Sequence, residues 1–118
     1  MAPRVFIIQD NSRQSFTPAM TFGAVQKPLF PERTQVYFDS SEAIKRVHDR
    51  LTADNFTEDD FIILNGDPVL IAFVTAIAAD YTDGRLKVLK FDRRENTYVP
   101  IEINDIFQRE GGEDEGDE

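Results

Sequence analysis

From Pro68 to Ala79 the chain reads Pro-Val-Leu-Ile-Ala-Phe-Val-Thr-Ala-Ile-Ala-Ala, and Thr75 alone offers water a polar group. Asp67 can cap such a segment and Pro68 suits a first helical position, so the run predicts a helix ending near Asp80. A helix that is apolar on every side has to be covered on every side. At 118 residues the chain is one domain with room for a real core, yet hardly enough to wrap this helix completely. Part of it, the row of Ala72, Ala76 and Ala79, is therefore expected to meet a second copy in a homo-oligomer. The stretch is too short to cross a bilayer, so no membrane partner is expected.

The remaining pattern is mixed. Val5 to Gln9 reads as a strand closed by Asp10-Asn11-Ser12. Residues 12–33 hold Pro18, Pro28 and Pro31, and each proline removes a ladder donor, which predicts an ordered irregular loop or short edge strands. Thr34 to Phe38 returns to strand character. Asp39-Ser40-Ser41 offers an N-cap to a helix over Ser41 to Thr52, with Ile44, Val47 and Leu51 at helical spacing. Phe61 to Leu64 reads as a buried strand. Asp83-Gly84 turns into a hairpin of Arg85 to Asp92 and Thr97 to Ile103, joined through Arg93-Arg94-Glu95-Asn96. The expectation is a single compact α+β domain over residues 1–109, built as a small, mostly antiparallel sheet with two helices. Residues 110–118 follow as a low-complexity acidic tail, expected to be disordered.

Charge is distributed unevenly. The net charge is −9, but six of the 22 acids lie in the last nine residues, which leaves 16 acids against 13 bases in the body. A near-neutral body with local basic clusters can still bind a polyanion. The absence of cysteine excludes disulfides and thiol chemistry and agrees with a reducing interior. Val5-Phe6-Ile7-Ile8 is too short an apolar run for a signal peptide, so a soluble intracellular protein is expected.

The basic clusters suggest a site. Alternation along the first hairpin strand sends Arg85, Lys87, Leu89 and Phe91 to one face and Leu86, Val88, Lys90 and Asp92 to the other. On the second strand Val99, Ile101 and Ile103 read as core-facing, which leaves Tyr98, Pro100 and Glu102 outward. Cations beside accessible rings suit single-stranded nucleic acid, where phosphates take the charges and bases stack. Arg85, Lys87, Lys90, Arg93 and Arg94 are assigned to phosphates, and Phe91 and Tyr98 to stacking. Lys27 and Arg33, interleaved with Phe16, Phe22 and Phe30, extend the candidate interface, and Arg4 and Arg13 flank the first strand. A plainer alternative is a solvated hairpin whose charges discourage edge pairing, with each phenylalanine buried. Arg46 and Arg50 share a helical face with Glu42 one turn before Arg46, the pattern of a solvated ion pair.

Catalysis finds little support. His48 is the only histidine and has no cysteine or evident serine partner, so no triad is legible. Asp59-Asp60 and Asp80/Asp83 lack a calcium-loop pattern. The turn Asn65-Gly66-Asp67-Pro68 has amides that could receive an anion, but it lacks the glycine spacing of a dinucleotide site and the lysine of a phosphate loop. No enzyme activity, cofactor or metal is expected.

Leu64-Asn-Gly-Asp-Pro-Val-Leu-Ile-Ala, followed by Gly84-Arg-Leu-Lys-Val-Leu-Lys-Phe-Asp-Arg-Arg and Tyr98-Val-Pro-Ile-Glu, resembles small proteins of tailed bacteriophages. The similarity, over residues 61–103, is to the Drc-like single-stranded DNA-binding transcription and replication cofactors of Schitoviridae phages. That resemblance implies a multimer that coats single-stranded DNA and assists a phage RNA polymerase, in the cytoplasm of the infected host. The acidic tail would compete for the basic surface or recruit other proteins. A rival expectation from another class is an acidic phage interaction protein that inhibits a host enzyme, acting as a duplex mimic.

Overall fold

Strand β1 (Arg4–Ile7) opens the chain, and a 3-10 helix, Thr17–Thr21, leads to the two-residue strand β2 (Ala24–Val25). Helix α1 (Ser41–Ala53), strand β3 (Phe61–Ile63) and helix α2 (Pro68–Tyr81) follow, and β4 (Leu86–Asp92) with β5 (Thr97–Ile103) closes the fold. The structure is a computed structural model that describes residues 2–108. The expected disorder of residues 110–118 concerns a segment outside the described residues.

All five strands join one sheet in the order β2-β1-β3-β4-β5. β1 pairs in parallel with both β2 and β3, β3 pairs in parallel with β4, and only the hairpin β4-β5 is antiparallel. The small α+β domain with two helices is present, but the expectation of a mostly antiparallel sheet is corrected. Its cause is the path of the chain: α2 carries it back across the sheet between β3 and β4, and such a crossover makes its flanking strands parallel.

Alternate residues of the sheet enter two separate cores. On one face Phe6, Ile8, Ile62, Leu86 and Val88 pack beneath Val47 and Leu51 of α1 and Leu70, Val74 and Ala78 of α2. On the other, Val5, Ile7, Ile63, Leu89 and Tyr98 pack against Ala19 of the 3-10 helix, with Phe16 and Phe22 half-buried beside them. A sheet covered on both sides needs strands that are apolar throughout. Val5-Phe6-Ile7-Ile8 and Phe61-Ile62-Ile63 meet that need.

Helix α2 is largely covered by the fold itself. Leu70, Val74, Ala78 and Ala79 are buried, Ile71, Phe73 and Ile77 are half-buried, and Val69, Ala72 and Ala76 face outward. Ala79 therefore belongs to the core and leaves the expected outward row. The Asp67 cap is as expected, its carboxylate accepting from the Val69 amide at 2.9 Å. No helix of the described residues is long and apolar enough to cross a membrane.

Thr34 to Phe38 forms no strand, which corrects a second expectation. Its polar backbone finds side chains in place of a ladder. Gln9, only 4% exposed, donates from Nε2 to the carbonyls of Pro31 (3.1 Å), Glu32 (2.9 Å) and Thr34 (2.8 Å). Its Oε1 accepts from the Asp67 amide at 2.8 Å, and Asp67 in turn accepts from the Val36 amide at 3.3 Å. Asn65 completes the clamp by bonding to the Gln9 main chain in both directions. Gly66 sits at φ +103°, and a Cβ there would lie 2.3 Å from Gln9 Oε1. Close approach and left-handed backbone both call for glycine at that position.

Gln9→Leu keeps the volume but removes the partners of three partly buried carbonyls and one amide, where a fully buried unpaired group would cost about 1–3 kcal/mol. Urea unfolding is expected to show at least about 2 kcal/mol of lost stability for this variant and for Gly66→Ala. A loss below about 0.5 kcal/mol in both would show that the clamp carries no such weight.

Candidate nucleic-acid interface

The nine residues singled out in the sequence separate into groups. Arg85 meets Glu58 at 3.3 Å, and Lys87 lies 3.9 Å from Asp59 and over the Phe61 ring at 5.7 Å. Exposed pairs of this kind add little stability, but each cation already faces a carboxylate. Lys27 follows β2, at the opposite edge of the sheet from β5, and its carbonyl accepts from Arg50. Arg33 lies in the loop held by Gln9.

Tyr98 is only 3% exposed. Its hydroxyl donates to the Ser15 carbonyl at 2.9 Å and accepts from Gln14 Nε2 at 3.0 Å. The half-buried Phe91 ring packs on it with centroids 5.2 Å apart. Burial pushes the Tyr98 phenol above its ordinary value, with the Gln14 hydrogen bond opposing the shift. The expected orientation of β5 fails at its start and holds at its end: Tyr98 points into a core and Val99 and Ile101 are exposed, whereas Ile103 packs against the helix-side core and Pro100 and Glu102 are exposed as expected. The reason lies in the second core, where β5 residues that share a face with Leu89 and Phe91 meet the 3-10 helix. Because the sheet is covered on both sides, Tyr98 turns inward where an alternation read with one apolar face sends it outward.

Lys90, Arg93 and Arg94 remain reachable. With Phe91, Asp92, Val99 and Ile101 they line a shallow recess of about 510 Å³ around the hairpin tip. The Arg94 amide donates to Asp92 at 3.0 Å and closes the turn. Among the described residues no ion pair engages these three cations.

Parallel pairing places the carboxyl ends of β1, β3 and β4 along one edge. Loops 10–15 and 31–39 and the hairpin turn therefore gather there, with Arg13, Arg33, Arg93 and Arg94. The same edge carries Tyr37, 78% exposed, and Phe38, fully exposed at 101%, with ring centroids 6.5 Å apart. Reading Thr34 to Phe38 as a strand concealed this pair. Two successive rings in Val-Tyr-Phe-Asp cannot both enter one core from a strand, and that was the signal available. Acids also occupy the edge, but Asp10, Glu32, Asp39 and Asp92 each accept from a neighbouring amide. The edge as a whole is close to neutral.

Other candidates are consumed by the fold. Arg4 is locked on buried Asp60 (2.9 Å) and on the Asp54 carbonyl (2.6 Å), with the Asp60 hydrogen bond pushing the guanidinium further up from its ordinary range. Arg46 donates to the Leu29 carbonyl at 2.7 Å and lies over the Phe30 ring, so the expected pairing with Glu42 gives way to the loop. Open sheets bind ligands where the strand order reverses, here between β1 and β3, but Gln9 fills that crevice. The turn amides offered to an anion are likewise taken: Asp67 N by Gln9 and Val69 N by Asp67.

A family model described as "Phage Pam3 gp32-like protein" matches residues 3–105. No curated protein and no solved structure matches the chain.

The buried phenol has consequences that a stacking ring would not. Because its folded pKa is raised, the stability Tyr98 contributes is present in full below about pH 10 and is lost as pH rises through the folded value. Tyr98→Phe is expected to remove that alkaline loss and to cost about 1 kcal/mol near neutrality, as read by urea unfolding at several pH values.

Proposed function

The chain belongs to the phage Pam3 gp32-like family, and we propose that this bacteriophage protein binds single-stranded DNA with little sequence preference. It acts in the cytoplasm of the infected bacterium, assists a phage RNA polymerase or DNA replication, and catalyses no reaction itself. The resemblance of residues 61–103 to Drc-like cofactors of Schitoviridae phages supports this reading; the family shown is the coarser one.

One observation carries the proposal: exposed rings of Tyr37 and Phe38 share the carboxyl edge of the sheet with Arg33, Arg93 and Arg94. Base stacking on such rings is worth about 1–3 kcal/mol per base and tolerates any sequence, since every base has a flat face. The three guanidiniums, with Arg13 and Lys90 nearby, contact phosphates. A near-neutral edge supplies little long-range steering, so contact geometry dominates over field. Self-association through the outward strip of α2, Val69, Ala72 and Ala76, would repeat these contacts along one strand and raise the effective concentration of each.

Fluorescence anisotropy with a labelled thymidine oligonucleotide tests the reading. Tyr37→Ala and Phe38→Ala are each expected to weaken binding about 5- to 150-fold, the affinity equivalent of one stacked base. Three neutralised phosphates predict a slope of about −2 in log K against log salt on single strands, falling to about −1 or less in Arg93→Ser/Arg94→Ser. Absence of binding at low salt, together with inhibition of a host enzyme by the purified protein, would transfer the function to the rival reading of an acidic inhibitor.

A further inference from the structure

β5 ends the strand order, so one of its edges pairs with β4 and the other meets solvent. An edge strand of seven residues is long enough to recruit another strand, and proteins blunt such edges with charges or prolines. Here Glu102 is the strand's only charged residue and Pro100 its only proline. Val99 and Ile101 are exposed at 42% and 41%. They lie opposite Lys90 and Val88 on the helix-side face of the sheet, where neither helix covers them.

The hydrogen-bond phase of the edge follows from its neighbours. The Leu64 amide donates to the Leu89 carbonyl at 3.1 Å, so the main-chain groups of Leu89 point toward β3. Leu89 faces Pro100 in the register, and in such a pair without mutual bonds both residues point away from each other. Pro100, and by period two Tyr98 and Glu102, therefore turn their main-chain groups to the open edge. Among the described residues no turn or loop bond occupies those groups. Pro100 lacks an N–H where its own sheet needs none. Its carbonyl and the amides of Tyr98 and Glu102 stay open to another strand.

We infer that a second copy of this chain adds its β5 to this edge, antiparallel and about a twofold axis at Ile101, which joins the two sheets into one. Twofold pairing leaves few registers. Centring on Pro100 would oppose two residues without donors, and centring on Glu102 would oppose two carboxylates. Centring on Val99 would run the ladder into the turn at Asn96, whose φ of +53° departs from an extended strand. About Ile101, each Glu102 amide meets the other copy's Pro100 carbonyl, and Tyr98 pairs with Asn104 of the other copy. The two Ile101 side chains then face each other and Val99 faces the other copy's Ile103, which covers the exposed aliphatic pair. Main-chain bonds supply affinity and these side chains fix the register.

Charge agrees with the same register. Exposed Asp105, just past β5, comes beside the turn of the other copy, where Arg93 and Arg94 stand against Glu95 alone. Both arginines lack an ion pair among the described residues. This surface is separate from the outward strip of α2, and the pairing does not depend on DNA binding.

The sequence contains no cysteine, so one introduced thiol reports the register. Ile101→Cys would set two thiols on residues whose Cα atoms are about 4.5 Å apart, within the range that a disulfide spans. Val99→Cys would hold them about 13 Å apart along the strand, beyond that range. Under mild oxidation of the full chain, Ile101→Cys is expected to form disulfide dimers at least about tenfold faster than Val99→Cys. Comparable rates, or Val99→Cys the faster, would overturn the register. Sedimentation of the unsubstituted chain is expected to show a dimer that Glu102→Pro converts to monomer, because that proline removes only an outward donor. Ala76→Glu on α2 is expected to leave the dimer intact. A monomer at every concentration, or a dimer lost in Ala76→Glu and kept in Glu102→Pro, would overturn the inference. Should Glu102→Pro fail to fold, the comparison of the two thiols decides by itself.

Discussion

One buried amide organises the carboxyl edge of the sheet. Gln9 leaves the end of β1 and gathers three loop carbonyls and the first amide of the α2 turn. Buried polar groups without partners are costly, so these bonds hold loop 31–36 and the start of α2 in one arrangement. Gly66 exists as glycine because the Gln9 side chain passes too close for a Cβ. The clamp also has a functional effect: it occupies the crevice where a sheet of this strand order would otherwise admit a small ligand. Beyond the clamp lies the outer rim, where loop 31–39 presents Tyr37 and Phe38 to solvent.

The two cores sort the remaining aromatic and cationic residues. Phe6, Phe30 and Phe56 fill the helix side, and Tyr98 with the half-buried Phe16, Phe22, Phe61 and Phe91 fills the other. Burying rings on both sides of one sheet leaves few for solvent, which makes the exposure of Tyr37 and Phe38 informative. Cations sort in a similar way. Half-buried Arg4 and Arg50 and the exposed Arg46 serve loops, where their forks satisfy backbone carbonyls. The hairpin tip retains charges that no such duty absorbs.

Electrostatics at the rim are local. Acids alternate with bases along the carboxyl edge, so the protein presents contact points more than a field. That arrangement suits a partner that is held by ring stacking and a few phosphates.

Much of this was legible in the chain. The apolar run after Pro68, the spacing of Ile44, Val47 and Leu51, and the turn chemistry at Asp83-Gly84 and Arg93 to Asn96 determined both helices and the hairpin, because these are local patterns with local causes. The basic character of the hairpin tip was equally visible. Pairing direction, the inward turn of Tyr98, the engagement of Arg85 and Lys87 by Glu58 and Asp59, and the loop that lifts Tyr37 and Phe38 into solvent were decided only by the tertiary structure. Each depends on partners distant in sequence: a parallel neighbour for β3, the 3-10 helix beneath β5, and Gln9 beneath Thr34. Alternation along a strand identifies two faces, but which of them meets water is settled by what packs against each.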